Sequence, residues 1–93
     1  MDGLVIKKQE CTGDYMFSLP VVCTRNFFAE FSDCYDILIR DCLKMIPDNP
    51  DYLQVFTFRG ETIFVVSPVE TEEYEKNKDI DGMVVTFMLA CDW

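Results

Sequence analysis

Tyr52-Leu53-Gln54-Val55-Phe56-Thr57-Phe58-Arg59-Gly60-Glu61-Thr62-Ile63-Phe64-Val65-Val66 reads as two strands joined by a turn. Period two puts Leu53, Val55 and Thr57 on one face of the first strand and Tyr52, Gln54, Phe56 and Phe58 on the other. Both faces are substantially apolar. Arg59-Gly60-Glu61-Thr62 is a tight hairpin connection in which Gly60 supplies the positive φ. Ile63-Phe64-Val65-Val66 returns, and Pro68 ends the strand. An antiparallel pair is thus the seed of a sheet, and the remaining segments are placed around it.

Upstream the period changes from 2 to 3.6. From Ser32 to Ile46, the residues Phe31, Tyr35, Leu38, Ile39, Cys42, Met45 and Ile46 recur at steps of three and four, while Asp33, Asp36, Arg40, Asp41 and Lys44 lie opposite. This predicts an amphipathic helix capped by Ser32 or Asp33 and stopped by Pro47. The stripe continues backward through Phe27 and Phe28, which allows a start as early as Asn26, with Thr24 or Arg25 outside. Asp48-Asn49-Pro50-Asp51 is a turn.

Downstream, Glu70 to Gly82 is a polar acidic connection, and Met83 to Ala90 is a near-continuous apolar strand expected in the middle of the sheet. At the N-terminus, Leu4-Val5-Ile6 and Tyr15-Met16-Phe17 flank the turn residues Thr12-Gly13-Asp14 and suggest a hairpin. The reading is therefore α+β, with one amphipathic helix packed on a mainly antiparallel sheet in the order β(β)αβββ. Residues 1–93 make a single domain, since a chain of 93 residues has no material for two cores.

Seventeen Asp and Glu against eight Lys and Arg give a net charge of -9, which opposes attraction to nucleic acid phosphate or to an anionic membrane. Apolar residues at 49% and aromatic residues at 14% give far more burial capacity than a disordered acidic tail has. No apolar run approaches the roughly 20 residues of a membrane span. Cys11, Cys23, Cys34, Cys42 and Cys91 are odd in number and contain no C-x-x-C pair, and the chain has no His. Paired zinc ligands and Cys-His or Ser-His nucleophiles are thereby excluded within one chain. With no export signal recognisable, a reducing cytoplasmic setting with reduced, structural cysteines is expected; a disulfide or a reactive thiol are the alternatives.

Asn77-Lys78-Asp79-Ile80-Asp81-Gly82 imitates the start of an EF-hand loop, but Met88 stands where the bidentate Glu is required, so no metal is expected. The isolated glycines at 3, 13, 60 and 82 form no phosphate loop, and no cofactor is expected. The aromatic set Phe27, Phe28, Phe31, Tyr52, Phe56, Phe58, Phe64, Phe87 and Trp93 reads as core rather than a base-stacking platform. Negative charge gathers at Glu70, Glu72, Glu73, Glu75, Asp79 and Asp81, with a second strip at Asp33, Asp36 and Asp41. One reading is a solvated surface. The other is a binding face for a basic protein, in which spaced carboxylates stand in for phosphates.

Asp51-Tyr52-Leu53-Gln54-Val55-Phe56, with Thr24-Arg25 before the helix, Glu72-Glu73-Tyr74 in the connection and Met88-Leu89-Ala90-Cys91-Asp92-Trp93 at the end, resembles the small Gram-positive bacterial family called domain of unknown function 960. The chain lacks the Ile-Pro that precedes the helix in that family and carries an extra N-terminal hairpin. The resemblance implies a bacterial, phage or mobile-element origin and transfers no catalytic residue. The functional expectation is a non-enzymatic acidic interaction protein, an inhibitor or regulator that binds a basic surface of a nucleic-acid-handling protein. The alternative is a small-molecule or nucleotide-binding domain. Direct nucleic acid or membrane binding is not expected, and association of two copies through an exposed sheet edge is left open.

Overall fold

The computed structural model describes residues 1–77 and 82–93. In chain order its elements are β1 (Val5–Ile6), β2 (Val21–Cys23), α1 (Arg25–Glu30), α2 (Tyr35–Met45), β3 (Leu53–Phe58), β4 (Glu61–Val66), α3 (Thr71–Lys76), β5 (Val85–Leu89) and a 3-10 turn, Ala90–Asp92. The class is α+β. The five strands form one sheet in the order β1-β3-β4-β5-β2, antiparallel except for the parallel β2–β5 pair.

The β3–β4 hairpin forms as the sequence predicts. Its two connecting residues both adopt positive φ, Arg59 at 52° and Gly60 at 77°, the conformation whose twist matches a two-residue hairpin. Arg59 accepts this backbone while its guanidinium lies 5.0 Å from the centroid of the Phe58 ring and pairs with Asp33.

Three expectations change. The N-terminal hairpin does not form: β1 pairs with β3, Val5 opposite Thr57 and Ile6 opposite Phe56. The segment around Tyr15 instead lies against residues 50 and 69–71, with the N–H of Tyr15 donating to the Pro50 carbonyl and that of Met16 to Val69. A side-chain pair fixes this arrangement. Gln54 is fully buried on the core face, and its amide nitrogen donates to Gln9 Oε1 at 2.8 Å and to the Asp51 carbonyl at 2.9 Å. Gln9 also donates to Gln54 and accepts from the N–H of Asp51, so both amides are satisfied.

Second, Val21–Cys23 forms a strand with no local pattern that predicts it. It is short, and its partner β5 is 64 positions away at Val21–Val85, so no local hairpin signal announces it. Third, the single long helix is two helices. Phe31 closes α1 with φ -117°, and Cys34 stands at the start of α2 with no side-chain cap, so neither Ser32 nor Asp33 caps it. Thr24 caps α1 by accepting from the N–H of Phe27. The buried stripe Phe27, Phe31, Cys34, Leu38 and Cys42 runs through the break without losing phase, which is why periodicity alone cannot detect it. Ser32 and Asp33 are residues that favour a turn over a helix interior.

The break has a topological cause. β2 and β3 run in the same direction with β5 and β4 between them, so the chain from β2 to β3 must cross over one sheet face. α1 lies on β5, with Phe27 edge-on to Phe87 at 5.7 Å, and Phe31 meets Phe58 of β3 at 5.7 Å. Phe56, Ile63, Val65, Val85 and Leu89 complete this core.

Tyr35, expected on the packed stripe, is 39% exposed and instead meets the exposed Phe28, ring centroids 4.9 Å apart. Tyr52 and Trp93 also lie outside the core, at 44% and 64% exposure, and Phe64 is half-buried. The remaining aromatics of the expected core set, Phe27, Phe31, Phe56, Phe58 and Phe87, are buried.

Candidate functional site

The acidic connection between β4 and β5 contains α3. Its attachment is local and specific: the N–H of Thr71 donates to the Asp14 carbonyl, Glu70 bridges Tyr15, and Tyr74 packs against the core. With Tyr74 turned inward, Glu72, Glu73 and Glu75 are all exposed, and so is Glu70 at the N-cap. Glu70, Glu72, Glu73, Lys76 and Asn77 line an open depression of about 390 Å³. Lys76 pairs with Glu72 at 3.0 Å, one turn away, but both side chains are more than two-thirds exposed, so water and salt screen the pair heavily. Asp79 and Asp81, and with them most of the EF-hand-like stretch, lie outside the described residues.

The second acidic strip is differently placed. Asp33 accepts from Arg59 Nη1 with both oxygens, at 3.0 and 3.1 Å, and this contact holds its carboxyl below the usual range. Asp41 is likewise lowered by the N-terminal ammonium of Met1 at 2.9 Å, with Arg40 at 3.3 Å as a second partner. Asp36 accepts from the N–H of Ile37 in the first turn of α2. Two of these three carboxylates are therefore occupied within the chain. No ion pair or hydrogen bond among the described residues joins this strip to α3.

Burial disfavours the thiolate at three of the cysteines. All five cysteines are free. Burial pushes Cys42 up to about 12 and also raises Cys34 and Cys23, which keeps these groups protonated and poorly nucleophilic.

The other conspicuous surface is the second face of the sheet. Register places Val5, Leu53, Val55, Thr57, Thr62, Phe64, Val66, Thr86, Met88 and Val22 together there. None of these is buried, whereas Gln54, Phe56, Phe58, Ile63, Val65, Val85, Phe87 and Leu89 on the opposite face all are. Trp93 adds to this surface by meeting Phe64 edge-on at 5.6 Å. A concavity of about 600 Å³ lies over β1, β3 and β4, lined by apolar and threonine side chains with Lys7 as its single charged group. The signal for this surface was present in the two apolar faces of 52–58, but only the helix placement shows which face is left open.

A scan against protein-family models, a search of curated proteins and a search of solved structures each find no match for this chain.

Proposed function

We propose that the protein is a non-enzymatic interaction protein whose acidic α3 surface binds a basic surface of a nucleic-acid-handling protein, as an inhibitor or regulator. The observation that carries this reading is the exposure of Glu70, Glu72, Glu73 and Glu75 on one short, anchored element, with Lys76 as its one basic residue. Spaced carboxylates on one element attract a surface built for phosphates and speed the encounter with it. Asp33 and Asp41 are secondary in this reading, because each already has a partner within the chain, Arg59 and the N-terminal ammonium. Origin in a bacterium, phage or mobile element, and action in the cytoplasm, belong to the same proposal.

The test is charge reversal. The triple variant Glu72→Lys, Glu73→Lys, Glu75→Lys should retain the fold, since exposed substitutions away from packed features usually shift stability by under about 0.5 kcal/mol each. Affinity capture from a bacterial lysate, run in parallel with both proteins, should yield a basic nucleic-acid-handling partner with the wild type and lose it with the variant. With that partner purified, the association rate should fall about tenfold or more at low salt and its salt dependence should flatten. Capture and association unchanged by the reversal would remove α3 from the interface.

A further inference from the structure

We propose that the uncovered sheet face binds a second copy of this chain, giving a back-to-back dimer through β1, β3, β4 and β5. Seven of the ten strand residues on this face are apolar and three are threonines, and none is acidic in a chain of net charge -9. A basic partner would find no carboxylate there to pair with. A second copy brings the same apolar surface, and two-fold symmetry makes such a patch self-complementary.

Charge permits this arrangement on this face. α1 and α2 lie on the opposite side of the sheet, held by Phe27 on Phe87 and Phe31 on Phe58. Layers packed about 10 Å apart would put the α2 carboxylates of the two copies roughly 30 Å from one another. That is several times the Debye length of about 8 Å at physiological salt, so their repulsion is screened. Area also fits. Six-residue strands spaced about 4.8 Å apart make a face of roughly 20 by 20 Å. Two such faces cover about 800 Å² in projection, below the standard size of specific interfaces, which fits a weak dimer that forms only at raised concentration. Trp93 and Phe64 are the aromatic anchors expected to dominate it.

The proposal stands independently of the α3 reading, and its test does not involve a basic partner. Sedimentation equilibrium of the wild type from about 1 to 200 µM should show twice the chain mass at the upper end. The emission of Trp93, 64% exposed in the single chain, should shift to the blue with the same midpoint. Phe64→Glu should weaken association by about tenfold or more. Thr57→Lys, at an exposed position where the monomer can solvate the charge, should act in the same direction if Phe64→Glu fails to fold. Ile37→Asp, on the exposed side of α2, should leave association unchanged. A chain that remains monomeric with constant emission overturns the proposal. A dimer indifferent to both sheet-face variants also overturns it and moves the contact to a strand edge or the helical layer.

Discussion

The hydroxyl of Thr24 donates to Oδ2 of Asp92 at 2.7 Å and accepts from the backbone N–H of Phe27 at 3.3 Å, so one side chain both caps α1 and fastens the 3-10 turn 68 residues away. Asn26 donates to the other oxygen of Asp92 at 2.6 Å, and the N–H of Leu89 adds a further contact at 3.2 Å. Thr24→Ala should cost about 1 kcal/mol for the lost cap alone. Thr24→Ser, which keeps the hydroxyl, should cost much less; equal urea midpoints for the two variants would remove the cap and latch from the stability of the fold. The hydrogen bonds from Thr24 and Asn26 hold the Asp92 carboxyl below its ordinary 3.8. A depressed folded-state value stabilises the chain above the unfolded value, and that contribution is lost as pH falls through the folded one. The stability difference between wild type and Asp92→Asn should therefore be level above about pH 5 and shrink below the ordinary carboxylate range. A difference that stays level on acidification would deny the ionised latch.

Leu38 and Ile37 are neighbours on α2 with opposite environments, Leu38 fully buried and Ile37 44% exposed. Leu38→Ala should cost about 2 to 5 kcal/mol by leaving a cavity between α2 and the sheet. Ile37→Ala should cost under about 0.5 kcal/mol. Chemical denaturation of the pair checks the helix face directly, and similar losses in both would contradict it.

Gly13 has ordinary φ but no room. A Cβ there would stand 2.7 Å from the Pro50 carbonyl oxygen and 3.3 Å from Cα of Asp51, both backbone atoms. Gly13→Ala must push these two segments apart and strain the bond from the N–H of Tyr15 to Pro50. A loss of about 1 to 3 kcal/mol in thermal or urea unfolding is expected, as for other overpacked sites.

The thiols should fall into two groups. Cys11 and Cys91 are exposed, whereas Cys34 and Cys42 are buried beneath α2. Under native conditions a thiol reagent followed by intact mass should label the first pair at the rate of exposed thiols. Cys34 and Cys42 should react only as the chain opens. Rapid native labelling of Cys42, whose thiol burial pushes up to about 12, would show that α2 is not packed as described.

The acidic segment was readable as a charge run because its residues are close in sequence. The structure gives it an element, α3, and an anchored inner residue, Tyr74. The second strip was readable only as spacing on a helix face. That Asp33 is paired with Arg59 across 26 positions and Asp41 with Met1 across 40 depends on how the hairpin tip and the chain start approach α2.

What local sequence determined by itself was the α+β class, the β3–β4 hairpin with its Arg59-Gly60 turn, and the buried face of α2 through Leu38 and Cys42. Each of these depends on alternation, helical spacing or turn chemistry among near neighbours. Tertiary structure decided the remainder. β1 left its expected local partner for β3, Val21–Cys23 became a parallel edge strand on β5, and the helix broke at 31–34. The physical reason is common to all three. A short strand has few hydrogen bonds and little apolar area of its own, so its partner is chosen by whichever sheet edge remains unpaired. A crossover from β2 to β3 must then bend to lay Phe27 on β5 and Phe31 on β3, and that crossover leaves the opposite face, with Val55 and Phe64, uncovered.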